Sequence, residues 1–175
     1  VYKRQAFNKS HSVSYSVVAF QTAYLKYYYP SEYMAALISS VVSNTSQVVM
    51  YLDECKRLGI EVLRPDVNYS FEKFSVEDGK IRFGLLGLKG MGKGVINSIV
   101  EARKKGEFKN LKDFITRVSD IKENTLNKRA IEALIKSGSL DNIIPSRAKA
   151  LAVFEDILSS HNAETKRNVE GPVSY

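Results

Sequence analysis

The stretch that decides the fold is Leu88-Lys89-Gly90-Met91-Gly92-Lys93-Gly94. Two glycines around one apolar residue allow a tight turn with positive φ and leave no side chain in the way of an approaching phosphate. Downstream, Val95, Ile96, Ile99 and Val100 recur at helical spacing, so the turn opens a helix. The unpaired first amides of that helix and its positive dipole end point the same way. Lys89 and Lys93 add charge, and Met91 is placed to plug the turn into a core. Such a unit holds phosphate without reading bases. A lone Gly-x-Gly also fits a plain corner between helices. A dinucleotide-binding turn would need a third glycine at the right place and a long preceding strand, and both are missing. The apolar residues before the turn and the basic Arg103-Lys104-Lys105 after the helix favour the phosphate reading.

A phosphate-gripping hairpin of this kind works in pairs. A degenerate second copy is read in Asn127-Lys128-Arg129 followed by Leu134-Ile135-Lys136-Ser137-Gly138. Lys128 and Arg129 are candidate phosphate contacts there, or simply a solvated face. The helix of this copy is expected over residues 124–136, with Leu126, Ala130, Ala133 and Leu134 inward and Gly138 at its end. Gly106 closes the first hairpin, and residues 111–118 form a short helix with Phe114 and Ile115 inside. A last helix is expected over 146–158, and the polar tail from Ser159 reads as linker.

Upstream of the turn the periodicity changes. Residues 60–67 are β-like but interrupted by Pro65. Phe74-Ser75-Val76 and Ile81-Arg82-Phe83 alternate around Glu77-Asp78-Gly79-Lys80, and Asp-Gly in that setting marks a hairpin. Before these strands lie three helices. The first is expected over 10–29, with Val13, Val17, Phe20 and Tyr24 as a stripe widened by Leu25 and Tyr28, and ended by Pro30. Ser31 is expected to cap the second, through Val42, with Tyr33, Ala36, Leu37 and Val41 inward. The third starts at a break in Asn44-Thr45-Ser46, carries Val48, Tyr51, Leu52, Cys55 and Leu58 on one face, and stops at Gly59. The fold class is therefore mainly α with a small β-hairpin connector.

Composition narrows the function classes. The 175 residues carry a net charge of +7, which favours an acidic partner such as nucleic acid. One cysteine excludes an internal disulfide and a cysteine-based zinc cluster. The two histidines are too few for a histidine-based metal site, and no paired-carboxylate or nucleophile motif is present. No apolar run is long enough to span a bilayer and no secretory signal opens the chain, so no membrane partner is expected and a cytosolic setting fits.

Both ends read as foreign. Val1-Tyr2-Lys3-Arg4-Gln5 translates gtg-tat-aag-aga-cag, one strand of a transposon-end library adaptor, and Val173-Ser174-Tyr175 translates gtc-tct-tat from its complement, with Pro172 at the junction. Residues 1–5 and 172–175 are thus expected to be scars, the alternative being a natural basic N-terminus and an ordinary tail. Removing Lys3 and Arg4 lowers the charge from +7 to +5.

A second candidate site is Phe7-Asn8-Lys9-Ser10-His11-Ser12-Val13-Ser14-Tyr15. On a helix from Ser10, His11 and Tyr15 share a face and Lys9 precedes the start, where phosphate binds well. The group suits a nucleotide, with Lys9 on phosphate, His11 on sugar or phosphate, and Tyr15 under base or sugar. From spacing alone it equally suits an ordinary capped helix. Here the residues resemble a known family. Ala6-Phe7-Asn8-Lys9-Ser10-His11-Ser12, Gln21-Thr22-Ala23-Tyr24-Leu25-Lys26 and Tyr29-Pro30-Ser31-Glu32-Tyr33-Met34-Ala35-Ala36-Leu37 are similar to the bacterial DNA polymerase III alpha subunit. So, in the same order, are Asp53-Glu54-Cys55-Lys56-Arg57-Leu58-Gly59-Ile60, Lys89-Gly90-Met91-Gly92, Ile99-Val100-Glu101-Ala102-Arg103 and Glu132-Ala133-Leu134-Ile135-Lys136-Ser137-Gly138.

The resemblance implies a bacterial cytoplasmic replication enzyme, a DNA-directed DNA polymerase, of which this is a piece. Residues 6–59 would be the C-terminal part of the fingers, 60–84 a short β connector, and 85–142 a tandem helix-hairpin-helix domain. Residues 143–171 would be a helix and linker toward a C-terminal region that is missing here. It implies Lys9, His11 and Tyr15 beside the incoming deoxynucleoside triphosphate. It implies Lys89, Gly90, Met91, Gly92 and Lys93, with Lys128 and Arg129 of the degenerate hairpin, on primer-template duplex. Magnesium would be bound by palm aspartates outside this chain, and the sliding clamp and other replisome subunits by other missing regions. The piece alone is expected to be inactive. The rival reading of the residues is a stand-alone helix-hairpin-helix module of a repair protein, and a third is an interaction domain with incidental basic charge.

Overall fold

A computed structural model describes residues 9–121 and 126–169, and both expected scars, with Phe7, Asn8 and the 124–125 start of the expected sixth helix, lie outside it. Seven α-helices and one three-stranded sheet are present among the described residues: α1 Lys9–Tyr28, α2 Pro30–Ser40, α3 Thr45–Arg57, β1 Val62–Leu63, β2 Ser75–Glu77, β3 Lys80–Arg82, α4 Lys93–Ala102, α5 Leu111–Ser119, α6 Lys128–Ser137 and α7 Arg147–Val169. The mainly helical fold class with a β-hairpin holds.

The Asp-Gly turn forms as expected. Asp78 and Gly79 both have positive φ, 51° and 76°, the requirement of a two-residue turn that follows strand twist. Glu77 then pairs with Lys80 and Val76 with Ile81. β1 joins parallel to β3, giving the order β1-β3-β2. This sheet is more than a connector. Its Ile81 and the neighbouring Phe74 are buried with Met34, Ala35 and Ile38 of α2 and Val48 and Cys55 of α3 in one apolar core. Burial in that core pushes the Cys55 thiol pKa up.

Several local expectations need correction. Pro30 does not only end α1; it begins α2, where its missing N–H costs nothing, with Tyr29 as N-cap. Ser31 is not the cap, because its Oγ donates to the Gly79 carbonyl at 2.6 Å, tying α2 to the hairpin turn. Ala36 faces solvent; Met34, Ala35 and Ile38 are the buried positions. Leu58 is exposed as well. The stripe on α1 forms but is uncovered by the described residues: Val13 is 57% and Phe20 71% exposed, while the C-terminal part of the helix meets α2 and α3. There Lys26 pairs with Glu54 at 3.0 Å. Along α1, Ser14, Ser16 and Thr22 satisfy themselves on carbonyls one turn back. Asn44 does cap α3, accepting from the Gln47 amide.

A second core joins α4, α5, α6 and α7 with Val67 and Leu85. Ile96, Ile99, Phe114, Ile115, Ile131, Leu134 and Ile135 are fully buried in it. In α6 the inward positions are Ala130, Ile131, Leu134 and Ile135, so Ala133 is only half-buried, contrary to expectation. α7 runs on to Val169 rather than giving way to linker at Ser159. No glycine or proline interrupts it, and Phe154 and Leu158 anchor it in the core. The 66–70 loop joins the two cores. Asn68 donates to the Phe108 carbonyl and accepts from its amide, Asn142 donates to Asp66, and the Val67 amide donates to the Ser139 carbonyl on the side of the second core, while Ser70 donates to the carbonyl of Phe83, which packs on the first.

Candidate nucleic-acid interface

The decisive stretch adopts a hairpin whose incoming arm is short. Residues Leu85–Gly87 make a single 3-10 turn, and the chain reverses before α4 starts at Lys93. Gly90 has φ of +92°, which favours glycine. Gly92 does not share this property: it is extended, with φ −97° and ψ 155°, and serves as the N-cap of α4 without a side-chain bond. A Cβ at Gly92 would meet nothing within 4 Å, so open space lies before the helix start. The first intrahelical bond runs from the Ile96 amide to the Gly92 carbonyl at 3.2 Å. The amides of Lys93, Gly94 and Val95 precede it, where the helix dipole is positive. Met91 is 8% exposed and sits in the core as the expected plug.

The second tip is built differently. α6 begins at Lys128, and the side chain of Asn127 accepts from the Ala130 amide at 2.9 Å, so the helix caps itself. Arg129 reaches across to the first tip. Its Nε lies 3.5 Å from where a Cβ on Gly90 would stand. The fold therefore brings Lys89, Gly90, Gly92, Lys93, Lys128 and Arg129 to one end of the second core, α4 and α6 both starting there.

The basic side chains differ in what holds them. Among the described residues Lys89 and Arg129 are exposed and have no carboxylate partner. Lys93 lies 3.3 Å from Glu72, and Lys128 lies 2.5 Å from Glu155. No local pattern points to either acid, since each is far along the chain from its lysine.

Arg103-Lys104-Lys105 does not belong to this surface. It sits at the other end of α4, about 15 Å away for a helix of this length. Arg103 donates to the carbonyls of Val67 and Ser70 and lies over the Phe71 ring, while Lys104 pairs with Glu101. These three residues therefore lend no support to the phosphate reading of the turn.

His11 and Tyr15 do share a face of α1, with ring centroids 4.4 Å apart in an edge-on arrangement. Tyr15 is 63% exposed. The side chain of Lys9, the third member of the expected group, lies outside the described residues. No group of three or more His, Cys, Asp or Glu side chains among the described residues is arranged to hold a metal ion. No described helix is long and apolar enough to cross a membrane.

The model of a helix-hairpin-helix motif matches residues 59–150, more than half of the chain. The chain belongs to the helix-hairpin-helix family. The match covers the sheet, both tips and the start of α7. Across almost its whole length the chain is also similar to DNA polymerase III subunit alpha. It is 46% identical to that protein of Vibrio cholerae over 164 residues, 90% of this chain and 14% of the relative. It is 44% identical to the Helicobacter pylori protein over 171 residues, 93% of this chain, and 42% identical to the Escherichia coli protein over 167 residues, 94% of this chain. The chain thus spans about one seventh of the relatives it matches, 14% in each case.

Proposed function

We propose that this chain is the duplex-gripping and nucleotide-facing segment of a bacterial replicative DNA polymerase. The reading rests on one conjunction: a match to DNA polymerase III subunit alpha over 90% or more of the chain, with an open, uncapped helix start at the Gly92 tip. Phosphates of primer-template duplex would approach Gly90, Gly92 and the first amides of α4, with Lys89 and Lys93 supplying charge and Met91 fixing the turn. Lys128 and Arg129 would extend the contact from the second tip. Every one of these contacts is to backbone phosphate, so binding is independent of base sequence and weakens steeply with salt.

Lys9, His11 and Tyr15 would face the incoming nucleotide. The full-length protein would transfer nucleotides to a primer end with magnesium held by palm aspartates elsewhere in the polypeptide. The transfer step itself would belong to those aspartates, and this segment would position the nucleotide and hold the duplex. Clamp and replisome contacts would fall to other regions, and the setting would be the bacterial cytoplasm. The test is a titration of the 175-residue chain with fluorescent duplex DNA across salt concentrations, alongside a primer-extension assay. Salt-sensitive, sequence-independent duplex binding without extension is expected. Absence of duplex binding at low salt, or primer extension by this chain alone, would overturn the proposal.

A further inference from the structure

We propose that Glu72 and Glu155 are internal competitors for phosphate that set the affinity of the duplex-binding surface. This rests on the duplex-binding reading and adds to it two acidic residues outside both hairpin tips. Glu72 is not at its lysine by chance rotation of a loose loop. The amides of Leu85 and Leu86 donate to the carbonyls of Phe71 and Glu72, at 2.8 and 3.0 Å, fastening this segment to the turn that leads into the first tip. Gly84 permits the contact: a Cβ there would lie 2.5 Å from the Lys73 carbonyl carbon and 2.8 Å from the Glu72 carbonyl oxygen. The Glu72 carboxylate is thereby presented to Lys93, and its side chain is 31% exposed against 71% for the lysine.

Glu155 is presented by a different element and is more open, its side chain 54% exposed against 59% for its lysine. It projects from α7 beside Phe154, which is buried, and one turn before buried Leu158, and it pairs with Lys128. Both pairs are partly exposed, so each is weak enough to be exchanged. Duplex binding then proceeds by two kinds of contact. Lys89 and Arg129 take phosphate directly. Lys93 and Lys128 must first leave a carboxylate, which stays nearby and repels the incoming phosphate. The consequence is a surface that holds duplex without clinging to it, as a protein that moves along DNA requires.

The test measures duplex affinity of the full 175-residue chain against salt for Glu72→Gln and, as a second variant on a different element, Glu155→Gln. Circular dichroism and thermal melting confirm the fold. Each substitution is expected to tighten binding about two- to fivefold at low salt and to steepen the salt dependence by up to about one released ion. The gain from Glu72→Gln should shrink in a Lys93→Gln background to the part due to direct repulsion of phosphate, and that from Glu155→Gln likewise in a Lys128→Gln background. Unchanged affinity, or an equal gain with the lysine already removed, would sink the proposal while leaving duplex binding intact. If the wild-type chain fails to bind duplex at all, both readings fall together.

Discussion

At the first hairpin tip the outgoing helix starts on Gly92, with no side chain over its leading amides; at the second it starts on Asn127, whose own side chain takes one of them. Among the described residues the charges are matched instead: each tip has one basic side chain without a carboxylate, Lys89 and Arg129, and one held by an acid, Lys93 by Glu72 and Lys128 by Glu155. Yet the two hairpins share a single core, with Ile96 of one and Ile131 of the other both fully buried. The difference teaches that the packing of a hairpin pair and its binding chemistry are separable. The second hairpin keeps its half of the core while its cap satisfies the helix start internally. In the proposed duplex contact its part would come through Lys128 and through Arg129, whose Nε lies beside Gly90 of the first.

The largest effects should be symmetric. Ile96→Ala and Ile131→Ala are each expected to destabilise the chain by about 2–5 kcal/mol, since each leaves a cavity in the same core. Denaturant unfolding measures this, and a large inequality would break the claim of one shared core. Binding should be asymmetric. Lys89→Glu is expected to weaken duplex binding by about tenfold at low salt, with Lys128→Glu costing less. Equal losses at the two tips would abolish the distinction between them.

The caps give a finer test, because stability and affinity should not move together. Asn127→Ala is expected to cost about 1 kcal/mol of stability with little change in duplex affinity. Gly92→Asn places a cap where the backbone is already extended and space is open. It should stabilise by about a few tenths of a kcal/mol and yet weaken duplex binding, because the new side chain occupies the leading amides. A gain in both properties would mean that those amides do not meet phosphate.

The smallest effect concerns pH. The end of the second hairpin is closed by Arg147, which holds the Asp141 carboxyl below its usual range through paired hydrogen bonds. A depressed carboxyl contributes stability above its unfolded pKa and loses it as pH falls through the folded one. The first hairpin ends instead on Arg103 bound to carbonyls, which do not titrate. Amide exchange followed as pH is lowered beneath the ordinary carboxylate range should therefore loosen the α6–α7 junction before the end of α4. The reverse order would show that Asp141 is not what closes the second hairpin.

Much of this arrangement is legible in the sequence. The Asp78-Gly79 turn, the asparagine cap at Asn44, the αL glycine at Gly138 and the plug at Met91 all form where local pattern puts them. So does the pairing of His11 with Tyr15 on one face. The departures share a physical cause. Periodicity places Val13, Val17, Phe20 and Tyr24 on one stripe of α1, but it carries no information on whether anything in this chain covers them. Polar composition after Ser159 suggests linker, although a breaker-free segment already docked by Leu158 continues as helix. Arg103 looks like basic surface in the sequence, yet its guanidinium is spent on the Val67 and Ser70 carbonyls.

The sequence by itself determined the turns, caps and faces, because those depend on φ preferences, short side-chain reach and periodicity over a few residues. Only the tertiary structure decided partners: Glu72 against Lys93, Arg129 against Gly90, and Asn142 against Asp66, 76 positions away. The physical reason is that a contact between distant segments follows from how two packed cores place their surfaces. No local pattern encodes which charge will be left open and which will be held.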